Sequence, residues 1–164
     1  MRHFNSLGEF AVALIEVEIE VREALEKGLE RVARKIEATA KAEIGTYQDE
    51  AGGFPAWPEL AEATKDDRVK QGFTENDPLL RTGDLQESIA HEVEYPEAMI
   101  GSTDERMPWF EFGTSRMPAR PVMGPAAFRN KDAIQKLVGA AVMAGLVGAD
   151  QVHAALGYDW ATRD

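Results

Sequence analysis

Apolar residues recur through the first part of the chain at Phe10, Leu14, Val17, Val21, Leu25, Leu29, Val32 and Ile36. The steps are three or four residues, the period of an α-helix. Ser6 stands before the run as a capping residue, with Glu9 three positions later as its capping-box partner. Charged residues fill the other faces, and Glu23 with Lys27 and Glu30 with Arg34 are spaced for pairing along the helix. Gly28 lowers helicity without ending the helix, and Gly45 is a stop signal. The pattern predicts one long amphipathic helix over residues 6–43. Such a helix either projects onto a neighbouring subunit or folds wholly onto its own core.

Beyond it the periodicity breaks up. Residues 45–58 carry Gly45, Gly52, Gly53, Pro55 and Pro58 and read as a loop, with Trp57 packed inside it. A short helix is expected over residues 58–69, with Pro58 in its first turn, then a mobile polar loop over 71–78. Gly83 supplies a turn. Ile89, His91, Val93 and Tyr95 alternate with Ala90, Glu92 and Glu94, which predicts a half-buried strand. Pro96 and Glu97 turn the chain into a hairpin partner over residues 98–101. Residues 108–113 are read as extended, so Phe110 and Phe112 share one face, with Trp109 and Glu111 on the other. A loop with Pro118 and Pro121 follows. One last helix starts at Val122 or Pro125 and runs to about residue 144, with Phe128, Ile134, Leu137, Val138 and Ala141 on one face. The fold class is α+β: a long N-terminal helix, a small antiparallel sheet and a C-terminal helix. The expected parts are the helix over residues 1–45, an α+β core over 46–144, and a Gly/Ala-rich tail over 145–164 with Tyr158 and Trp160. That tail reads equally as a short helix or a partner-binding arm.

Composition narrows the function. The chain has 164 residues, no cysteine and a formal net charge of −11. The absence of cysteine excludes a disulfide scaffold, a thiolate zinc site and a cysteine nucleophile, and fits a reducing compartment. The negative balance argues against gripping nucleic acid through its phosphates. It suits a wall that DNA passes without sticking, and equally suits plain solubility. Residues 1–10 hold one arginine and no apolar run before Glu16, Glu18 and Glu20, so no leader is expected. No stretch approaches the roughly 20 apolar residues of a membrane span.

Candidate chemistry is sparse. His91-Glu92 resembles the start of a zinc-protease motif, but Tyr95 stands where the second histidine belongs, and the other histidines, His3 and His153, are far away. Asp104, Glu105 and Glu111 are close in sequence but read more simply as loop charges and one paired glutamate. Ser88, Ser102 and Ser115 lack a nucleophile elbow, and neither Gly52-Gly53 nor Gly113 forms a phosphate loop. No enzyme, metal or cofactor is expected. Arg116, Arg120 and Arg129 form a small basic group in an acidic chain, suited to carboxylates of an adjacent subunit or to phosphates. The subunit contact is the better fit to the net charge.

A wider pattern joins these segments. It consists of Leu80-Arg81-Thr82-Gly83-Asp84-Leu85-Gln86-Glu87-Ser88-Ile89, then Ile100-Gly101-Ser102, then Trp109-Phe110-Glu111-Phe112-Gly113-Thr114, then Met117-Pro118-Ala119-Arg120-Pro121. In order and spacing this resembles the phage neck and tail-completion proteins. These are the gene-ten-product-like proteins of lambdoid siphophages and the G-like morphogenesis protein of phage Mu. The stretch from Trp57-Pro58 to Lys70 also resembles the Mu type. The resemblance covers residues 57–135. Trp109 stands where the family often has Tyr-Ala, and Val122-Met123 where it has Phe-Leu, both volume-tolerant exchanges. The long N-terminal helix and the tail lie outside it.

The resemblance implies a non-enzymatic virion protein, assembled in the host cytoplasm and placed in the neck where head meets tail. Copies would close into a ring, a hexamer by expectation, between head-completion protein and tail terminator or tail tube. DNA would pass through without sequence-specific binding. The expected subunit interface holds Trp109, Phe110, Glu111, Phe112, Arg116, Arg120 and Arg129. Gly83, Gly113, Pro118 and Pro121 would be structural turns. Other readings are a tail terminator capping the tube, a particle-associated hydrolase and a small regulatory module.

Overall fold

A computed structural model describes residues 6–147. Helix α1 spans Leu7–Glu43, as the periodicity predicts. At its start the Ser6 Oγ accepts the Glu9 N–H at 3.1 Å. At its end Gly45 turns with φ of 96° and donates its N–H to the Pro78 carbonyl at 2.9 Å. Then come α2 (Glu62–Lys70), the single turn α3 (Asp84–Glu87), strands β1 (Ile89–Glu94) and β2 (Glu97–Ser102), α4 (Met107–Phe112), α5 (Met123–Arg129) and α6 (Lys131–Val147). The two strands form an antiparallel hairpin around Tyr95-Pro96, whose peptide bond is cis. The class is α+β, with the long helix first and helices last. Residues 148–164, which hold most of the expected tail, and His3 and His153 lie outside the described residues.

The described residues fall into two units. Those up to Val32, those in Val93–Ala98 and those from Ala133 onward form one, while Ala33–Glu92 and Met99–Asp132 form the other. The division falls within α1.

In the first unit α1 and α6 meet at Gly28. A Cβ placed there would lie 2.8 Å from the Ala141 Cβ, so the glycine that weakens the helix is what lets the two helices touch. The Arg22 guanidinium lies 5.2 Å from the centre of the Tyr95 ring, within cation–π range.

The second unit carries the main core. Its buried apolar residues are Ala33, Ile36 and Ala40 of α1 and Ile44 just past it, with Trp57, Leu85, Ile89, Met107, Val122 and Ala126. Ile89, His91 and Val93 point inward along β1 while Ala90, Glu92 and Glu94 face solvent, the alternation expected of this strand. Trp57 is buried as expected and donates its indole N–H to the Pro121 carbonyl at 2.9 Å.

Three local expectations are corrected. The helix expected from Pro58 begins only at Glu62, because residues 58–60 are bonded to distant parts of the chain instead of to a helical turn. The Pro58 and Glu59 carbonyls are taken by Arg120, and the Leu60 N–H by the Tyr47 hydroxyl at 3.0 Å. Residues 107–112 are helical, so Phe110 and Phe112 do not share a strand face. Pro108 sits in the first turn, where its missing N–H has no helical partner to lose. The single C-terminal helix is two. Asn130 breaks it, its side-chain amide donating to the Ala126 carbonyl at 2.8 Å and to the Thr39 hydroxyl at 2.7 Å. A buried asparagine satisfied in this way competes with the helical ladder.

Candidate binding groove

The segment from Gly113 to Pro121 is set by backbone geometry. Gly113 has φ of 73° and ψ of 179°, a region open essentially to glycine alone. A Cβ there would lie 2.8 Å from the Ala119 backbone nitrogen. Thr114 and Met117 pair across a tight turn, and the Arg120 N–H reaches the Phe110 carbonyl at 2.7 Å. Gly83, at φ of 96°, is the turn that launches α3. Pro118 is exposed in this segment, whereas Pro121 is buried and presents its carbonyl to Trp57.

This turn, α2 and the segment before α3 enclose a groove of about 510 Å³. Its walls combine apolar side chains such as Leu60, Leu85 and Phe110 with five arginines, Arg68, Arg81, Arg106, Arg116 and Arg120. Glu59 is the one acidic residue on the lining, and its carboxylate lies 3.7 Å from Lys65. Five cations against one anion invert the charge balance of the whole chain.

Two of these arginines are neutralised locally. Arg81 pairs with Asp67 at 2.8 Å. Arg106 pairs with Asp104 at 2.6 Å, which holds the Asp104 carboxyl down at about 2. Among the described residues the other three meet no carboxylate. Arg68 is buried and donates Nε to the Thr74 carbonyl at 2.7 Å and Nη2 to the Leu80 carbonyl at 2.5 Å. Arg120 is buried and donates Nη2 to the Pro58 and Glu59 carbonyls at 2.8 and 3.1 Å. Burial lowers the Arg120 pKa. Neither guanidinium has a hydrogen bond at Nη1 among the described residues, where the buried polar side-chain atom without a partner is Glu43 Oε2. Arg116 is exposed, and its side chain has no hydrogen-bond or ion-pair partner among the described residues.

The expected interface residues separate accordingly. Trp109 and Phe112 stand out from α4, 56% and 82% exposed, and Phe110 lines the groove. Arg116 and Arg120 also line it, but Arg120 is committed to carbonyls of its own chain rather than displayed to a neighbour. Arg129 lies elsewhere, at the end of α5, paired with Glu43 and donating to the Asp49 carbonyl at 3.1 Å. The three arginines are therefore not one basic cluster.

Glu111 turns inward. Its Oε2 accepts the Val122 and Met123 N–H groups at 2.7 and 3.2 Å, and its Oε1 accepts Gly124 N–H at 3.1 Å. These donors open α5 and have no partner within the helix, so the carboxylate acts as a distant cap. His91 pairs with Glu37, which Lys41 and His91 together hold below its usual pKa. The Ser88 and Ser102 hydroxyls bond each other at 2.7 Å. Among the described residues, no group of three acidic or histidine side chains is placed to hold a metal ion. Sequence reasoning did not find Arg68 or Arg106 as groove residues. Their only signal was charge, and their positions depend on contacts with remote loops.

A curated relative is 30% identical over 122 residues, covering 69% of this chain and 80% of its own length. It is the Mu-like prophage FluMu G protein 2 of Haemophilus influenzae. The chain belongs to the Mu-like phage G protein family of virion morphogenesis proteins. No protein-family model matches it, and no solved structure matches it significantly. In this family member no helix among the described residues is long and apolar enough to cross a membrane.

Proposed function

We propose that the chain is a structural, non-enzymatic virion subunit that assembles with copies of itself into a ring where the phage head joins the tail. Family membership supports a role in virion morphogenesis. The observation that carries the assembly reading is the display of large apolar side chains with no cover in the described chain. Phe112 and Trp109 project from α4, and Leu14, Ile15 and Ile19 from α1. Surfaces of this kind mark protein contacts. Repeated head-to-tail, such a contact closes into a ring when the rotation permits. A net charge of −11 would let DNA pass through the opening without adhering.

Electron microscopy and light scattering of the purified chain, alone and with its head and tail neighbours, test the reading. Closed rings at the head–tail junction are expected. A chain that stays monomeric with those neighbours present refutes it. A ring seated on the last tube ring, without contact to head-completion protein, makes the subunit a tail terminator instead.

A further inference from the structure

The groove has an excess of positive charge that the described chain does not neutralise. Arg68 and Arg120 are held by carbonyls, which are dipoles and not counter-ions, and Arg116 is open to solvent. A buried guanidinium without a carboxylate is unfavourable until an anion arrives. The groove also offers apolar wall at Leu60, Leu85 and Phe110, and Trp109 and Phe112 stand exposed on the helix that supplies Phe110. The fitting ligand therefore carries both carboxylates and apolar side chains.

The same chain displays such a segment. Residues 7–21 contain no lysine or arginine, whereas Glu16, Glu18 and Glu20 are exposed. Val12, Ile15 and Ile19 are exposed too, 53–57% each, and their spacing places them on one helix face with Glu16 and Glu20 beside them. This stripe lies opposite the Val17, Val21 and Leu25 stripe that continues into the buried part of α1. Its acid-flanked apolar character complements the groove.

We propose that the arginine-lined groove of one copy binds the acidic, apolar-striped first turns of α1 from a second copy, with Arg116 meeting Glu16 or Glu20. The inference rests on the assembly reading above and specifies its contact. A donor surface and an acceptor surface that differ make the contact heterologous, the kind that propagates from copy to copy. Duplex DNA is the weaker candidate, because a phosphate backbone offers no apolar stripe for Trp109 and Phe112, and the chain as a whole repels it.

The test uses the full chain in analytical ultracentrifugation and disulfide trapping. Arg116→Glu and Glu16→Lys/Glu20→Lys are each expected to weaken self-association by about tenfold or more, through like-charge contact. Mixing the two variants should restore part of it, because each then supplies the charge the other needs. The chain has no cysteine, so a Glu16→Cys/Arg116→Cys variant can form disulfides only through the introduced residues. Oxidation should give a ladder of covalent oligomers at concentrations where the wild type assembles. Unchanged melting temperatures exclude misfolding as the cause. If the wild type assembles but the variants assemble equally and no ladder forms, this contact is wrong and the assembly reading stands. A wild type that is monomeric at all concentrations, with its head and tail neighbours present as well as alone, overturns both. If Arg116→Glu abolishes binding to a fluorescent DNA duplex and leaves assembly intact, the groove serves phosphate and the proposal fails.

Discussion

Arg129, in the last turn of α5, forms an ion pair with Glu43, the final residue of α1, and the pair is unequal in its exposure. Glu43 is almost fully buried and its Oε2 has no partner, so burial pushes its carboxyl up to about 7 even beside the guanidinium. Between pH 4.5 and 7 the unfolded chain releases this proton while the folded chain keeps it. Stability from this group is therefore complete below the unfolded value and is lost as pH rises through 7, by at most about 3 kcal/mol. Glu37 works in the opposite sense, its lowered pKa adding stability that disappears as pH falls. Subtracting the unfolding free energy of Glu43→Gln from that of the wild type, from pH 5 to 8, should isolate a downward slope. A flat difference would show that Glu43 ionises normally in the fold.

Glu111→Ala should leave the Val122, Met123 and Gly124 N–H groups without their acceptor. A cost of about 1–2 kcal/mol is expected in urea unfolding, comparable to loss of a strong helix cap. Glu111→Gln keeps one acceptor oxygen and should cost less. Neither variant, nor His91→Ala, should change turnover of peptidoglycan, which is expected to be absent in the wild type. Turnover that vanishes with Glu111→Gln would establish a hydrolase.

Gly113→Ala meets two obstacles, a backbone conformation closed to other residues and the Ala119 backbone nitrogen 2.8 Å from the new carbon. The expected loss is about 1–3 kcal/mol in thermal unfolding. A melting temperature equal to that of the wild type would mean the turn can take another path.

Gly28→Val places a branched side chain where even a single carbon comes within 2.8 Å of Ala141. Separation of α1 from α6 should cost about 1–3 kcal/mol. Hydrogen exchange should quicken along α6 before it changes in the β-hairpin. If α6 retains its protection, the two helices are not held at this point.

Much of the fold was legible because it is written in short-range periodicity. The three-and-four spacing of α1 and the alternation of β1 each record which face meets the core. Where one residue is committed by a distant partner, the local pattern misleads. The aromatic run over 108–113 looks extended, yet Pro108 lies in the first turn of a helix whose Phe110 carbonyl is taken by Arg120. Asn130 looks tolerable inside a helix until Thr39, 91 residues away, receives its amide. Glu111 and Arg120 were expected at a subunit interface, and only the fold shows that their side chains bond the backbone of their own chain. The second apolar stripe of α1 was present in the sequence but masked by the stronger one on the opposite face.

Arg68 ties the Thr74 and Leu80 carbonyls to α2, and Arg120 ties the Pro58 and Glu59 carbonyls to the segment after α4, so the groove walls are held by bonds within the chain. A receptor built in that way spends little ordering itself when its guest arrives. The proposed contact pairs opposite charges, so its association should slow as ionic strength rises.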